Sequence, residues 1–199
     1  PQGDGHPVLL VPGFMASESS LIGLKLMLQK KGYDVHTWGL GRNMGFRSKH
    51  ANALPQKIRH LHFVTGKKVS LVGWSLGGIY ARELAKELPD CVRCVITMGT
   101  PFSGSHKSTN AWRLFELTSG KDITSELQQF DLPVAPPVPT TSIYSRTDGV
   151  VAWPASIQKP SKSNPRTENV EVIASHIGLG LNPTAWWALA DRLAQPEGQ

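Results

Sequence analysis

A chain of 199 residues with 40% apolar and 18% charged side chains can bury a core without disulfide or metal staples, and its composition is that of a globular protein, far from a disordered chain. The formal charge of +6 comes from scattered lysines and arginines with no basic run interleaved with aromatics. That excludes a nucleic-acid platform and leaves a solvated basic face, weakly attracted at most to anionic surfaces. No apolar run approaches the ~18 residues of a membrane span. The chain starts at Pro1 and shows no signal peptide, so a soluble protein is expected, cytoplasmic or secreted after loss of a leader.

In chain order, short apolar strands alternate with amphipathic helices. The expectation is an α/β fold: right-handed crossovers and a mainly parallel six-stranded sheet with helices on both faces, as one domain over 1–199. Strand one is Pro7-Val8-Leu9-Leu10-Val11, ended by Pro12-Gly13. A helix over 19–31 carries Leu21, Leu24 and Leu28 on one stripe and stops at Gly32. Strand two spans 35–38, a glycine-rich loop 39–45, and a further helix 51–65. Strand three, 68–73, runs through a turn at Ser75 into a helix over 76–88, and strand four occupies 92–98. Residues 102–139 lack clean strand signals and read as a small insertion over the top of the sheet, with short helices near 111–117 and 123–130. Strands five and six are placed at 140–145 and 169–174. Asn182 caps the last helix and Pro183 takes its first position. Cys91 and Cys94 bracket the start of strand four without the second pair that a zinc tetrathiolate needs. Cys94 reads as a buried strand thiol, and a bridge to Cys91 is awkward in extended backbone. No metal site is expected.

The most informative text is Gly73-Trp74-Ser75-Leu76-Gly77. Two glycines bracketing a serine between a strand and a helix suit a sharp turn that pushes the hydroxyl into the open. A serine hydroxyl is a poor nucleophile at neutral pH and needs an imidazole to take its proton. In parallel sheets, reactive groups gather beyond the carboxyl ends of the strands. Two residues fall there after Ser75: Asp148, following strand five, and His176, following strand six. Asp148 would fix the imidazole tautomer, and the other ring nitrogen would face Ser75. The remaining histidines, His6, His36, His50, His60 and His62, read as ordinary strand or helix residues, and His106 as a loop residue. Asp34, Asp122 and Asp131 are poorer placed acids than Asp148.

An oxyanion hole needs two donors aimed at one oxygen. The N–H of Leu76 is one, aided by the helix dipole; the N–H of Phe14 is the other, with Met15 as the fallback. Met15, Leu40, Met44, Phe46, Phe102, Trp112, Val150, Val151 and Ile177 fall on loops around this point and favour an uncharged, partly hydrophobic substrate. Trp74 is expected to pack beneath the serine.

With those residues in place, the chain resembles the alpha/beta-hydrolase superfamily, particularly compact bacterial esterases and lipases with little or no cap. The resemblance runs through Val8-Leu9-Leu10-Val11-Pro12-Gly13-Phe14, Gly73-Trp74-Ser75-Leu76-Gly77-Gly78 and Met98-Gly99-Thr100-Pro101-Phe102. It continues through Arg146-Thr147-Asp148-Gly149-Val150-Val151 and Ser175-His176-Ile177-Gly178-Leu179. Family members commonly have His-Gly where this chain has Pro12-Gly13, which leaves the backbone donor but removes a side chain that organises the loop. The resemblance implies a minimal fold lacking the first two strands. It also implies hydrolysis of a small-molecule or lipid ester through an acyl-enzyme, with no cofactor and no stable protein partner. Thioester hydrolysis and acyl transfer to another alcohol would use the same three side chains, and a binding protein with a silent site is the reading outside enzymes.

Overall fold

The computed structural model describes residues 1–45, 48–103, 130–159 and 164–198. Phe46 and most of the expected insertion, with His106, Trp112 and Asp122, lie outside the described residues. Six strands form one sheet: β1 (Pro7–Val11), β2 (Asp34–Thr37), β3 (Val69–Trp74), β4 (Val92–Met98), β5 (Thr140–Tyr144) and β6 (Thr167–Glu171). Their order is β2-β1-β3-β4-β5-β6, and every neighbouring pair is parallel. Burial along β1 and β3 is continuous rather than alternating because both faces of the sheet are covered.

Side chains alternate across each strand, so each face has its own core. Leu9, Val11 and Leu71 pack with Leu54, Ile58 and Leu61 of helix α2 (Ser48–Thr65) and with Ile79 and Leu84 of α3 (Leu76–Glu87). Val8, Leu10, Val72 and Ile96 pack with Leu24 and Leu28 of α1 (Ile22–Lys30) and with Ala185 and Leu189 of α4 (Pro183–Leu193). Asn182 caps α4 as expected: its Oδ1 accepts from the N–H groups of Thr184 (2.7 Å) and Ala185 (3.2 Å). Among the described residues no helix is long and apolar enough to cross a membrane.

Three boundaries depart from the sequence reading. Residues 18–21 form a 3₁₀ turn ahead of α1. Helix α2 begins at Ser48 and carries Pro55 in its interior. Strand six lies earlier than expected, because β5 pairs Thr140 with Thr167 and Tyr144 with Glu171. Its polar residues fit an outer position in the sheet, where one border is wet, while the more apolar residues that suggested a later strand follow it. Of these, Val172 and Ala174 turn inward, and Ile173 is 82% exposed.

The base of β1 carries a histidine that the sequence reading passed over. His6 is fully buried, and its Nδ1 lies 2.5 Å from Asp4 Oδ1. Arg93 donates to the other Asp4 oxygen at 2.8 Å. Burial pulls the His6 pKa below its ordinary value, more than Asp4 raises it. For Asp4, partial burial works upward, but the hydrogen bonds from His6 and Arg93 prevail and hold the carboxyl well below the usual range. Both shifts act in the same direction. The unfolded chain binds protons that the folded one does not, so stability is full above the ordinary histidine pKa of about 6.5 and falls as the pH drops below it. Melting temperatures measured from pH 7.5 to 5 should therefore decline, and His6→Gln should flatten the histidine part of that decline. An unchanged slope in the variant would remove His6 from the account.

Candidate active site

Strand β3 ends at Trp74 and α3 begins at Leu76, so a single residue makes the whole turn. That residue, Ser75, has φ 54° and ψ −123°, a backbone conformation costing a side-chain-bearing residue about 1–3 kcal/mol. Its neighbours hold it there. The Ser75 N–H donates to the Met98 carbonyl (2.8 Å), and the Ser75 carbonyl accepts from Thr100 Oγ1 (2.9 Å) and the Gly78 N–H (3.0 Å). A Cβ on residue 77 would overlap the carbonyl oxygens of Val11 and Pro12, so a side chain there would drive α3 off the end of β1.

The loops after β5 and β6 bring an acid and a base to this turn. His176 Nε2 lies 3.0 Å from Ser75 Oγ, and His176 Nδ1 lies 2.7 Å from Asp148 Oδ2. The second carboxylate oxygen, Oδ1, accepts from the N–H groups of Val150 (2.9 Å) and Val151 (2.8 Å). Asp148 can only accept, so Nδ1 carries the proton and Nε2 is left to accept from the serine hydroxyl. The Asp148 side chain is 2% exposed and that of His176 10%.

The support beneath this pair comes from residues the sequence reading undervalued. Gly99, at the end of β4, has φ +56°, and a Cβ there would stand 2.7 Å from Leu179 Cδ1 and 3.1 Å from Asp148 Oδ2. Ser145 Oγ accepts from the N–H groups of Thr147 and Ala174, both at 3.1 Å. Thr147 Oγ1 donates to the Ala174 carbonyl (3.1 Å), which ties the acid's loop to the base's loop. The only clue in the sequence was two hydroxyl residues just before Asp148. Trp74 packs beside the His176 ring, centroids 5.9 Å apart, and also donates from Nε1 to the His176 carbonyl at 3.2 Å. Trp74→Phe keeps the ring and loses that bond, worth about 1 kcal/mol. Turnover should fall about fivefold with KM little changed; steady-state kinetics showing no change in kcat would make the bond idle.

The turn after β1 faces the serine from the other side. A Cβ on Gly13 would stand 3.2 Å from Ser75 Cβ, so this backbone passes close to the serine. Asn43, fully buried, clamps the turn: its Nδ2 donates to the Pro12 carbonyl (2.8 Å), and its carbonyl accepts from the Met15 N–H (2.7 Å). The fallback oxyanion donor is thereby engaged, and Met15 itself is left with φ 58°. Leu76 opens α3, where first-turn N–H groups have no carbonyl partner within the helix.

The candidate pocket residues separate. Met15 is 44% and Ile177 70% exposed. Phe14, Leu40 and Val150 pack half-buried against the core, and Met44 is also half-buried. Phe102 and Val151 lie in the core, the Phe102 ring 3.8 Å beneath the Arg82 guanidinium. Cys91 and Cys94 are both free thiols. Among the described residues no three His, Cys, Asp or Glu side chains converge as a metal site.

A parallel sheet of this order, helices on both faces and a strained serine between β3 and α3 together define the alpha/beta-hydrolase fold in a compact form. Solved structures with that fold superpose on nearly the whole chain. They include a lipase B of Aspergillus fumigatus (TM-score 0.73, 20% identity, 98% of this chain and 54% of that one). An esterase of Pyrococcus furiosus gives a TM-score of 0.71 at 17% identity, over 98% of this chain and 84% of its own. A monoacylglycerol lipase of Paleococcus ferrophilus gives 0.69 at 15%, over 97% and 96%. In sequence, the human serine hydrolase BPHL is 34% identical over 110 residues, 49% of this chain and 36% of that protein. The chain thus spans about a third of that curated relative and about half of the fungal lipase. No protein-family pattern matches it.

Proposed function

We propose that the chain is a serine hydrolase that cleaves carboxylic esters of partly hydrophobic substrates through an acyl-enzyme. The observation carrying this reading is the continuous hydrogen-bonded line from Asp148 through His176 to a serine held in a strained turn. Ser75 Oγ attacks the ester carbonyl as its proton passes to His176 Nε2, and Asp148 stabilises the imidazolium. The N–H groups of Leu76 and Phe14 hold the developing oxyanion. His176 protonates the departing alcohol, then takes a proton from the water that releases the acyl group. The exposed side chains of Met15 and Ile177 next to these groups favour an apolar acyl or alcohol part. Names carried by proteins of this fold, esterase and lipase among them, agree with the reaction class.

The test combines two measurements. A fluorophosphonate should label Ser75 in the folded protein, and p-nitrophenyl esters of increasing chain length should be turned over. Labelling without hydrolysis of any ester would redirect the reading to thioesters or acyl transfer. Absence of both would leave a binding protein.

A further inference from the structure

The turn after β1 passes close to Ser75, yet its own residues have little with which to hold it. Pro12 has no N–H and no polar side chain, and Gly13 has no side chain at all. The hold comes from the loop after β2. Asn43, fully buried there, uses both its side chain and its backbone. Its Nδ2 donates to the Pro12 carbonyl (2.8 Å), its own N–H donates to the Ala16 carbonyl (2.9 Å), and its carbonyl accepts from the Met15 N–H (2.7 Å). Oδ1 accepts from the Gly45 N–H at 3.2 Å, which fixes the orientation of the amide. The loop is itself anchored: Trp38 Nε1 donates to the Gly41 carbonyl (2.9 Å), and the Gly39 N–H donates to Glu18 Oε1 (2.7 Å). Phe14 therefore lies between two held points, Pro12 on one side and Met15 with Ala16 on the other. Only the first is held by a side chain.

We propose that Asn43 is a positioning residue: by gripping the Pro12 carbonyl, its side-chain amide sets where the Phe14 N–H stands relative to Ser75. The inference rests on the ester-hydrolase reading above, in which that N–H receives the developing oxyanion. Gly13 is the residue of the turn whose backbone rotates most readily. With the Pro12 carbonyl released, the peptide planes on either side of Gly13 can rotate, and the second of them carries the Phe14 N–H. The main-chain bonds at Met15 and Ala16 do not prevent this, because they lie beyond that plane. A displaced donor matters little to a neutral ester and greatly to the charged tetrahedral oxygen. Loss of the Asn43 amide therefore lowers kcat rather than raising KM. It does so by the same factor for every acyl chain, since the donor meets the carbonyl and not the chain.

Asn164 supplies a matched control ahead of β5 and β6, at the end of the sheet away from Ser75. It is 2% exposed, its Nδ2 donates to the Pro136 and Val138 carbonyls, and its Oδ1 accepts from the Arg166 N–H (2.9 Å). Asn43→Ala and Asn164→Ala each remove one buried staple, and each should lower the melting temperature by about 5 °C. On p-nitrophenyl esters from acetate to octanoate, assayed well below that temperature, Asn43→Ala should lose about 100-fold in kcat at every chain length, with KM within about twofold of the parent. Asn164→Ala should keep the parent kcat. Asn43→Asp is the second variant: it keeps an acceptor for Gly45 but turns an acceptor towards the Pro12 carbonyl, and it should lose at least as much kcat. A folded Asn43 variant with kcat within about threefold of the parent would overturn the proposal. So would a loss carried by KM, a loss that grows with chain length, or an equal fall in kcat for Asn164→Ala. A parent chain that neither labels with fluorophosphonate nor turns over any ester would refute the ester-hydrolase reading itself, and this inference with it.

Discussion

Ser75→Ala should lower kcat for a p-nitrophenyl ester by about 10⁶-fold while the protein stays folded. The hydroxyl's only described side-chain partner is His176 Nε2, so its removal takes away the nucleophile without orphaning a buried group of the core. The backbone contacts at residue 75, to Met98 and from Thr100 and Gly78, involve no side-chain atom of the serine and survive the change. Alanine inherits the strain of the turn, since φ 54° crowds any Cβ. Glycine does not. Ser75→Gly should be equally inactive yet more stable than the alanine variant by about 1 kcal/mol, the relief of strain less the extra flexibility of the unfolded chain. Urea unfolding of the two variants separates chemistry from strain. A folded alanine variant retaining turnover within tenfold of the parent would end the assignment of Ser75.

The second large effect concerns the acid. Asp148→Asn keeps size and shape but changes which way hydrogen bonds run. Oδ1 is fixed as an acceptor by the N–H groups of Val150 and Val151, so the asparagine oxygen must take that place. Its NH₂ then lands opposite His176 Nδ1, where a donor meets a donor unless the imidazole switches tautomer. After the switch Nε2 carries the proton, and the ring can no longer accept from Ser75. Turnover should drop by about 10⁴-fold with KM and the melting curve near those of the parent. Asp148→Ala should lose a similar amount of activity but also destabilise, because the partly buried N–H groups of Val150 and Val151 lose their acceptor. Equal activity of the asparagine variant and the parent would show that the carboxylate does not set the tautomer.

Much of the fold was legible because its signals are local. Continuous apolar runs marked β1 and β3, Asn182-Pro183 marked the start of α4, and alternating strands and helices implied a parallel sheet. The elbow was legible for the same reason: the pentapeptide around Ser75 carries its own steric logic. Strand β6 was misplaced because a strand at a wet border need not be apolar, and pairing with β5, not hydrophobicity, decides its register. The supports of the site were harder to read. Asn43, Ser145 and Thr147 act through backbone partners 27 or more residues away, and an asparagine in a glycine-rich loop looks like a turn residue. His6 looked like a residue leading into a strand because its acid lies only two positions before it, and its other hydrogen-bond partner, Ser70, is 64 positions distant.

Ser75 and His176 are 101 residues apart along the chain, with Asp148 lying between them, 28 residues before His176. The elbow can form from neighbouring residues, but the proton path cannot close until β5 and β6 have docked and their two loops have met. Loop closure over such spans is slow compared with local pairing. On the proposed mechanism, the serine thus waits in time as well as in space for the far end of the chain, and regain of turnover during refolding should report the docking of β5 and β6 rather than formation of the elbow.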